Sequence, residues 1–126
     1  MIRYEVDDRH LLAAVFLPFV NQIWPGDYEE TKTQEALQKT LNITAWEGKM
    51  LVGCLRILGD GYFFGTITEC LVLPSYQNKG IGSKLLSLAK EHTPTSLYFG
   101  AQPGVEPFYE RNGCQRSLAS FWMEKK

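Results

Sequence analysis

Ile2, Tyr4 and Val6 alternate with polar neighbours, and a period of two predicts a short strand with one buried face. The period then changes, because Leu12, Val15, Phe16, Phe19, Val20 and Ile23 recur at helical spacing. Asp7 or Asp8 is placed to cap this helix, and Pro18, which lacks an N–H, should kink it or end its regular part. A turn at Trp24-Pro25-Gly26-Asp27 leads to a second helix over about 31–40, whose sparse apolar positions, Ala36, Leu37 and Leu41, place it on the surface.

Three strand-like runs follow, at 43–47, 50–58 and 62–73, separated by Glu47-Gly48-Lys49 and Gly59-Asp60-Gly61. Short glycine turns of this kind close hairpins, so the three runs form an antiparallel meander; parallel neighbours would need a crossover of a dozen or more residues. After Gly80, helical spacing returns through Ile81, Leu85, Leu88 and Ala89 as far as His92, and Pro94 stops it. A strand at 97–99, a short helix at 106–111 closed by Asn112-Gly113, and a last strand at 117–123 complete the pattern. The order is that of a mixed sheet with helices on its faces and one parallel crossover.

The 126 residues suit one compact domain. A net charge of -1, from 13 basic and 14 acidic residues, gives no electrostatic reason to expect nucleic acid or an anionic membrane as a partner. The longest apolar run, at 11–20, holds a proline and falls well short of the ~20 residues of a membrane span. Met1 to Val6 has no signal-peptide character, so a cytoplasmic protein is expected. Cys54, Cys70 and Cys114 lack metal-ligand spacing and fall in apolar stretches; they read as inert core thiols, and no metal is expected. His10 and His92 stand alone at a helix start and a helix end, where capping or exposure suits them better than catalysis.

The chemistry concentrates in the run from Glu69 to Leu86, which passes from strand through a loop into a helix. The first N–H groups of a helix are unpaired and, with the helix dipole, favour an anion, typically a phosphate. Gly80 and Gly82 clear two side chains from that approach. A Walker loop needs lysine and a hydroxyl residue directly after its last glycine, whereas Lys79 precedes Gly80 and Ser83 precedes Lys84. A dinucleotide fingerprint needs a third glycine and an early crossover unit, but position 85 is leucine and a meander precedes it.

What remains, Gln77-x-x-Gly80-x-Gly82 after a Val-x-Pro strand end, closely resembles motif A of the GCN5-related N-acetyltransferases (GNAT family). The run Pro107-Phe108-Tyr109-Glu110-Arg111-Asn112-Gly113-Cys114 resembles that family's later motif, a short helix bearing Phe-Tyr before a glycine and the last strand. The resemblance covers about 68–115 and implies a mixed α+β GNAT fold, a single domain over 1–126. Its central sheet would be mostly antiparallel with one splayed parallel strand pair, and helices would cover both faces. It implies acetyl-CoA as cosubstrate. The backbone of Leu71, Val72 and Leu73 would then pair with the pantetheine arm, and Gln77, Asn78, Lys79, Gly80, Ile81, Gly82 and Ser83 would hold the pyrophosphate. Gln77 stands where many members carry arginine, which removes one charge contact.

Acetyl transfer needs a neutral amine, a polarised thioester carbonyl and a proton for the departing thiolate. The amine's proton falls to Glu69, acting directly or through water as similar family carboxylates do; otherwise Glu69 is a strand carboxylate held by hydrogen bonds. Tyr109 matches the family tyrosine that protonates the thiolate, with Phe108 packing beside it; otherwise the pair anchors a short helix. N–H groups near Leu71 or Val72 would polarise the carbonyl. Trp24, Asp27, Tyr28, Glu29 and Glu30 lie where the family builds its acceptor wall, and aromatics beside carboxylates suit a cationic amine, on a small molecule or a peptide. Two other readings of the chain stand beside this one, an acyl-CoA-binding regulatory protein without turnover and a binder of nucleotide phosphates. Exposed terminal strands pair between protomers, which admits a homodimer.

Overall fold

The computed structural model describes residues 1–125. Four strands, β1 (Ile2–Glu5), β2 (Leu41–Glu47), β3 (Met50–Gly59) and β4 (Gly65–Val72), form an antiparallel sheet in that order. The meander is as expected except at the start of its last strand. Asp60 Oδ1 accepts the N–H groups of Tyr62, Phe63 and Phe64 at 2.8, 2.8 and 3.1 Å. Those donors are lost to the ladder, so residues 60–64 form a loop and β4 begins only at Gly65.

Both faces of the sheet are covered. On β3, a Cβ at Gly53 would lie 3.1 Å from Ile81 and 3.3 Å from Leu85, both on α3 (Ile81–His92). Arg56 instead places its guanidinium 5.5 Å from the Phe16 ring of α1 (Ala13–Asn21). Positions 53 and 56 have opposite parity in an unbroken stretch of the ladder, so α3 and α1 lie on opposite faces. The helical spacing of α1 buries Ala13, Phe16, Phe19 and Val20, and that of α3 buries Ile81, Leu85, Leu86 and Ala89. A second helix on the α1 side, α2 (Glu30–Gln38), buries Leu37 alone and is otherwise superficial.

Neither Asp7 nor Asp8 caps α1. Its N-cap is Leu12, without a side-chain cap, and Gln34 Oε1 of α2 accepts the Ala13 N–H at 2.8 Å. Asp8 is buried, accepting the His10 N–H at 3.0 Å and the Thr44 hydroxyl at 2.8 Å, so its carboxylate ties the loop to β2.

The parallel crossover is present but brief. Leu97 forms one parallel bridge with Gly65, where the Tyr98 N–H donates to the Gly65 carbonyl at 3.0 Å. The expected strand at 97–99 reduces to this contact. A Cβ on Gly65 would sit 2.6 Å from Thr95 Oγ1 and 2.9 Å from Leu97 Cδ2, so those side chains would have to shift to admit one. The short helix α4 (Glu106–Arg111) ends at Asn112 and the left-handed Gly113, as its sequence predicts. The last strand expected at 117–123 does not form: the segment joins no ladder and is exposed. Among the described residues no helix is long and apolar enough to cross a membrane.

Candidate active site

β4 has a partner on one side only, apart from the bridge at Gly65. The Leu73 N–H donates to Val52 of β3 at 2.9 Å. In an antiparallel ladder the main-chain groups alternate direction, so Leu71 also turns toward β3 while Cys70 and Val72 face the open edge. Of the three residues expected to meet pantetheine, Val72 alone presents its main chain there. Its carbonyl accepts from Gln77 Nε2 at 3.0 Å. Gln77 therefore folds back onto the strand edge and does not reach forward to the helix start.

After Leu73 the chain makes a short 3-10 turn, Pro74–Tyr76, and reaches α3 through two left-handed residues, Asn78 (φ 62°) and Gly80 (φ 85°). Gly80 is the N-cap of α3 and supplies no side-chain acceptor. The first intrahelical bond runs from the Lys84 N–H to the Gly80 carbonyl at 3.0 Å, which leaves the N–H groups of Ile81, Gly82 and Ser83 unspent. The two glycines serve different ends. A Cβ on Gly80 would meet nothing within 4 Å, whereas one on Gly82 would lie 2.9 Å from Phe108 Cζ of α4. Gly80 keeps the approach open, and Gly82 lets α4 close on α3. Lys79 lies beside the junction, its Nζ 5.4 Å from the Tyr76 ring, and Tyr76 donates to Glu47 Oε1 at 3.1 Å.

Tyr109 of α4 packs edge-on against Phe99 and Phe108, with centroids 5.0 and 5.1 Å apart. Burial first, then the nearby Cys70 and Cys114 thiols, push its phenol up to about 12. It is therefore a neutral O–H donor throughout the physiological range. Burial, with Glu69 beside it, likewise pushes the Cys70 thiol up to about 12, and burial raises Cys54 and Cys114. Thiols held neutral in this way are poor nucleophiles.

Glu69 is not a free carboxylate. Arg56 donates from Nε to Oε2 at 2.5 Å and from Nη2 to Oε1 at 3.3 Å, and the two side chains are only 15% and 10% exposed. A bulge in β4 sets its direction: Ile67 pairs with Ile57 while Glu69 pairs with the adjacent Arg56, so Thr68 is the extra residue. Ile67 and Glu69 consequently point to opposite faces. Glu69 joins Arg56 and Phe16 on the α1 face, and Cys70, one residue on, faces Tyr109. Glu69 and Tyr109 thus flank β4 from two sides and do not meet. Sequence reading missed Arg56, although it is the one charge among residues 50–58, a pattern that marks a paired cation in a buried strand.

At the turn after α1, Trp24 and Tyr28 are partly exposed, and the Tyr28 hydroxyl donates to the Trp24 carbonyl at 2.8 Å. Glu29 is spent as the N-cap of α2, accepting the Lys32 N–H at 2.9 Å. Asp27 and Glu30 are exposed. A groove of about 590 Å³ lies elsewhere, between α1 and the β2–β3 turn, and holds none of the candidate residues. The free main-chain donors lie instead at the uncapped start of α3.

The fold is that of the GNAT acetyltransferases. The family model for the acetyltransferase (GNAT) domain matches residues 39–115, and the chain belongs to that family. No curated protein sequence matches it. Among solved structures it is similar to a GNAT-family acetyltransferase from Streptococcus pneumoniae TIGR4, with TM-score 0.83, 21% identity and 100% of both chains covered. A probable acetyltransferase of unknown function from meticillin-resistant Staphylococcus aureus gives TM-score 0.84 at 16% identity over 99% of this chain and 100% of that one. AAC(6')-Iy, in complex with the bisubstrate analogue CoA-S-monomethyl-acetylneamine, gives TM-score 0.75 at 12% identity over 100% and 99%. At these identities the likeness is one of fold.

Proposed function

We propose that the chain transfers the acetyl group of acetyl-CoA to the primary amine of a cationic acceptor, by direct attack with both substrates bound. The observation that carries this reading is that, among the described residues, β4 and the segment at Leu97 pair at a single bridge. It leaves the Val72 edge open beside the uncapped start of α3. The residues present suit CoA, because three unspent N–H groups and the empty space at Gly80 would receive the pyrophosphate. Bound acetyl-CoA supplies an acyl thioester whose carbonyl carbon can accept an amine.

The chain's own groups then have distinct tasks. The Val72 N–H on the open edge would orient the thioester arm once the Gln77 amide gives up the Val72 carbonyl. Tyr109 would give its proton to the departing thiolate sulfur. Glu69 would take the amine's proton through a water on an oxygen lone pair that Arg56 leaves free. Trp24 and Tyr28, with Asp27 and Glu30 nearby, suit a cationic amine on a small molecule or peptide; the acetylneamine conjugate bound by AAC(6')-Iy supports an acceptor of that kind.

The test is thiol release from acetyl-CoA over a panel of primary amines, from polyamines and amino sugars to basic peptides. Turnover with at least one cationic amine is expected. Acetyl-CoA binding without thiol release on any amine would favour a regulatory binding protein.

A further inference from the structure

Taking the acetyl-CoA reading above as the basis, we propose that Tyr76 and Glu47 are positioning residues for the CoA phosphates. The Glu47 carboxylate holds the Tyr76 hydroxyl, and this tie fixes the loop that aims the start of α3 at the pyrophosphate. Neither residue need touch the ligand.

The loop itself has little to hold it. Residues 77–80 are exposed, and a Cβ on Gly80 would meet nothing within 4 Å. Asn78 and Gly80 take positive φ, 62° and 85°, a conformation that few residues other than glycine and asparagine adopt. An exposed loop of this shape keeps one arrangement only where its surroundings fix it.

Two side chains tie it to the sheet. Gln77 donates to the Val72 carbonyl at 3.0 Å, a bond that pantetheine would displace. Tyr76 donates to Glu47 Oε1 at 3.1 Å, on the β3 side of β4 and away from the open edge. The Tyr76 tie therefore persists when the arm is bound. Its anchor is rigid, because Glu47 ends β2 and pairs with Ile2 on one side and Met50 on the other. The other oxygen of Glu47 accepts from the Met1 amino group at 3.1 Å. These hydrogen bonds, that of the Met1 amine first and then that of Tyr76, hold the Glu47 carboxyl below the usual carboxylate range. Partial burial and then Glu47 raise the Tyr76 phenol. A charged acceptor thus meets a neutral donor at neutral pH, which is the stronger kind of hydrogen bond. The ring has a second task, since Lys79 Nζ lies 5.4 Å from it and a fixed ring keeps that cation at the junction.

A ligand that needs one loop arrangement binds more weakly in proportion as that arrangement is less populated. A ligand without phosphates meets the β4 edge alone and is indifferent to the loop.

Calorimetric titration with CoA, and with pantetheine as the phosphate-free probe, tests this without turnover. Tyr76→Phe removes the hydroxyl and keeps the ring beside Lys79. It should retain the wild-type circular dichroism and bind CoA about tenfold more weakly, the lower end for a hydrogen bond to a charged group, with pantetheine affinity unchanged. Glu47→Ala should match it, and adding Glu47→Ala to Tyr76→Phe should cost nothing further. Glu47→Gln, whose amide oxygen still accepts, should recover most of the loss. A folded Tyr76→Phe protein that binds CoA as the wild type does overturns this proposal alone. So does one that loses CoA and pantetheine alike, which would mean a general loosening of the fold, and so do independent losses that add in the double variant. A wild type that binds CoA no better than pantetheine has no phosphate site at the start of α3, and that result overturns the acetyl-CoA reading together with this one.

Discussion

At the scale of single residues, two side chains have roles that can be separated by experiment. Tyr109→Phe removes one hydroxyl while its ring still packs on Phe99 and Phe108. Folding and acetyl-CoA affinity should persist while kcat falls about 10²-fold, the lower end of the general-acid range, because a CoA thiolate is a good leaving group. Its pH dependence has a definite sign. The phenol is raised from 10.0 to about 12, so the donor survives alkali, and the stability gained from burying it neutral is complete below pH 10 and lost toward about 12. A kcat profile for the wild type with a tyrosine-like fall near pH 10 would remove Tyr109 from the proton path. Glu69 needs a paired design, because Glu69→Gln also deprives a buried Arg56 of its countercharge. Breaking such a pair costs about 3–5 kcal/mol, whereas replacing both partners by apolar groups of similar volume is often neutral. Glu69→Gln should therefore lower both Tm and turnover. Arg56→Met with Glu69→Leu should recover Tm and leave turnover low. Turnover that recovers with Tm would assign Glu69 to structure alone.

At the scale of elements, the two glycines of the junction make opposite demands. Gly82→Ala places a methyl 2.9 Å from the Phe108 ring, and overpacking of this kind costs about 1–3 kcal/mol. Phe108→Leu should relieve part of that loss, which chemical denaturation of the single and double variants would measure; strict additivity would mean that the contact carries no strain. Gly80→Ala meets no atom, yet it forces a side chain to φ 85°, so a loss of about 1 kcal/mol is expected from the backbone alone. This division was invisible in the sequence, where both glycines read as phosphate clearance, because the contact with α4 joins positions far apart along the chain. The meander, the period of α3 and the Asn112-Gly113 stop were legible, since each is dictated by neighbours in sequence. The delayed start of β4 turned on one carboxylate oxygen of Asp60 gathering three N–H groups. The bulge at Thr68, which points Glu69 at Arg56, depends on strand register, which period alone does not reveal. The last strand was read from composition at 117–123, and composition is blind to whether a partner edge is present.

At the scale of the whole molecule, the sheet is joined across its cleft by one bridge, and this makes ligand binding a matter of stability. Acetyl-CoA lying between the Val72 edge and the segment at Leu97 would tie together parts of the chain that otherwise meet only at Gly65. A ligand that binds the folded state alone stabilises it by about 2.7 kcal/mol at a hundredfold excess over Kd. For a chain of 126 residues that should raise Tm by on the order of 10 °C in a thermal melt. ATP offers phosphates to the start of α3 but no arm to span the gap, so its shift should be small. Gly80→Val fills the open space before α3 and should shrink the acetyl-CoA shift by more than its own loss of stability explains. The two ligands separate the readings of the junction. Equal shifts from ATP and acetyl-CoA would indicate a nucleotide-phosphate binder in which the splayed strands play no part, and no shift from either would remove CoA from the cleft. A large shift from acetyl-CoA alone, weakened by Gly80→Val, requires the phosphate cradle and the open strand edge to act on one molecule.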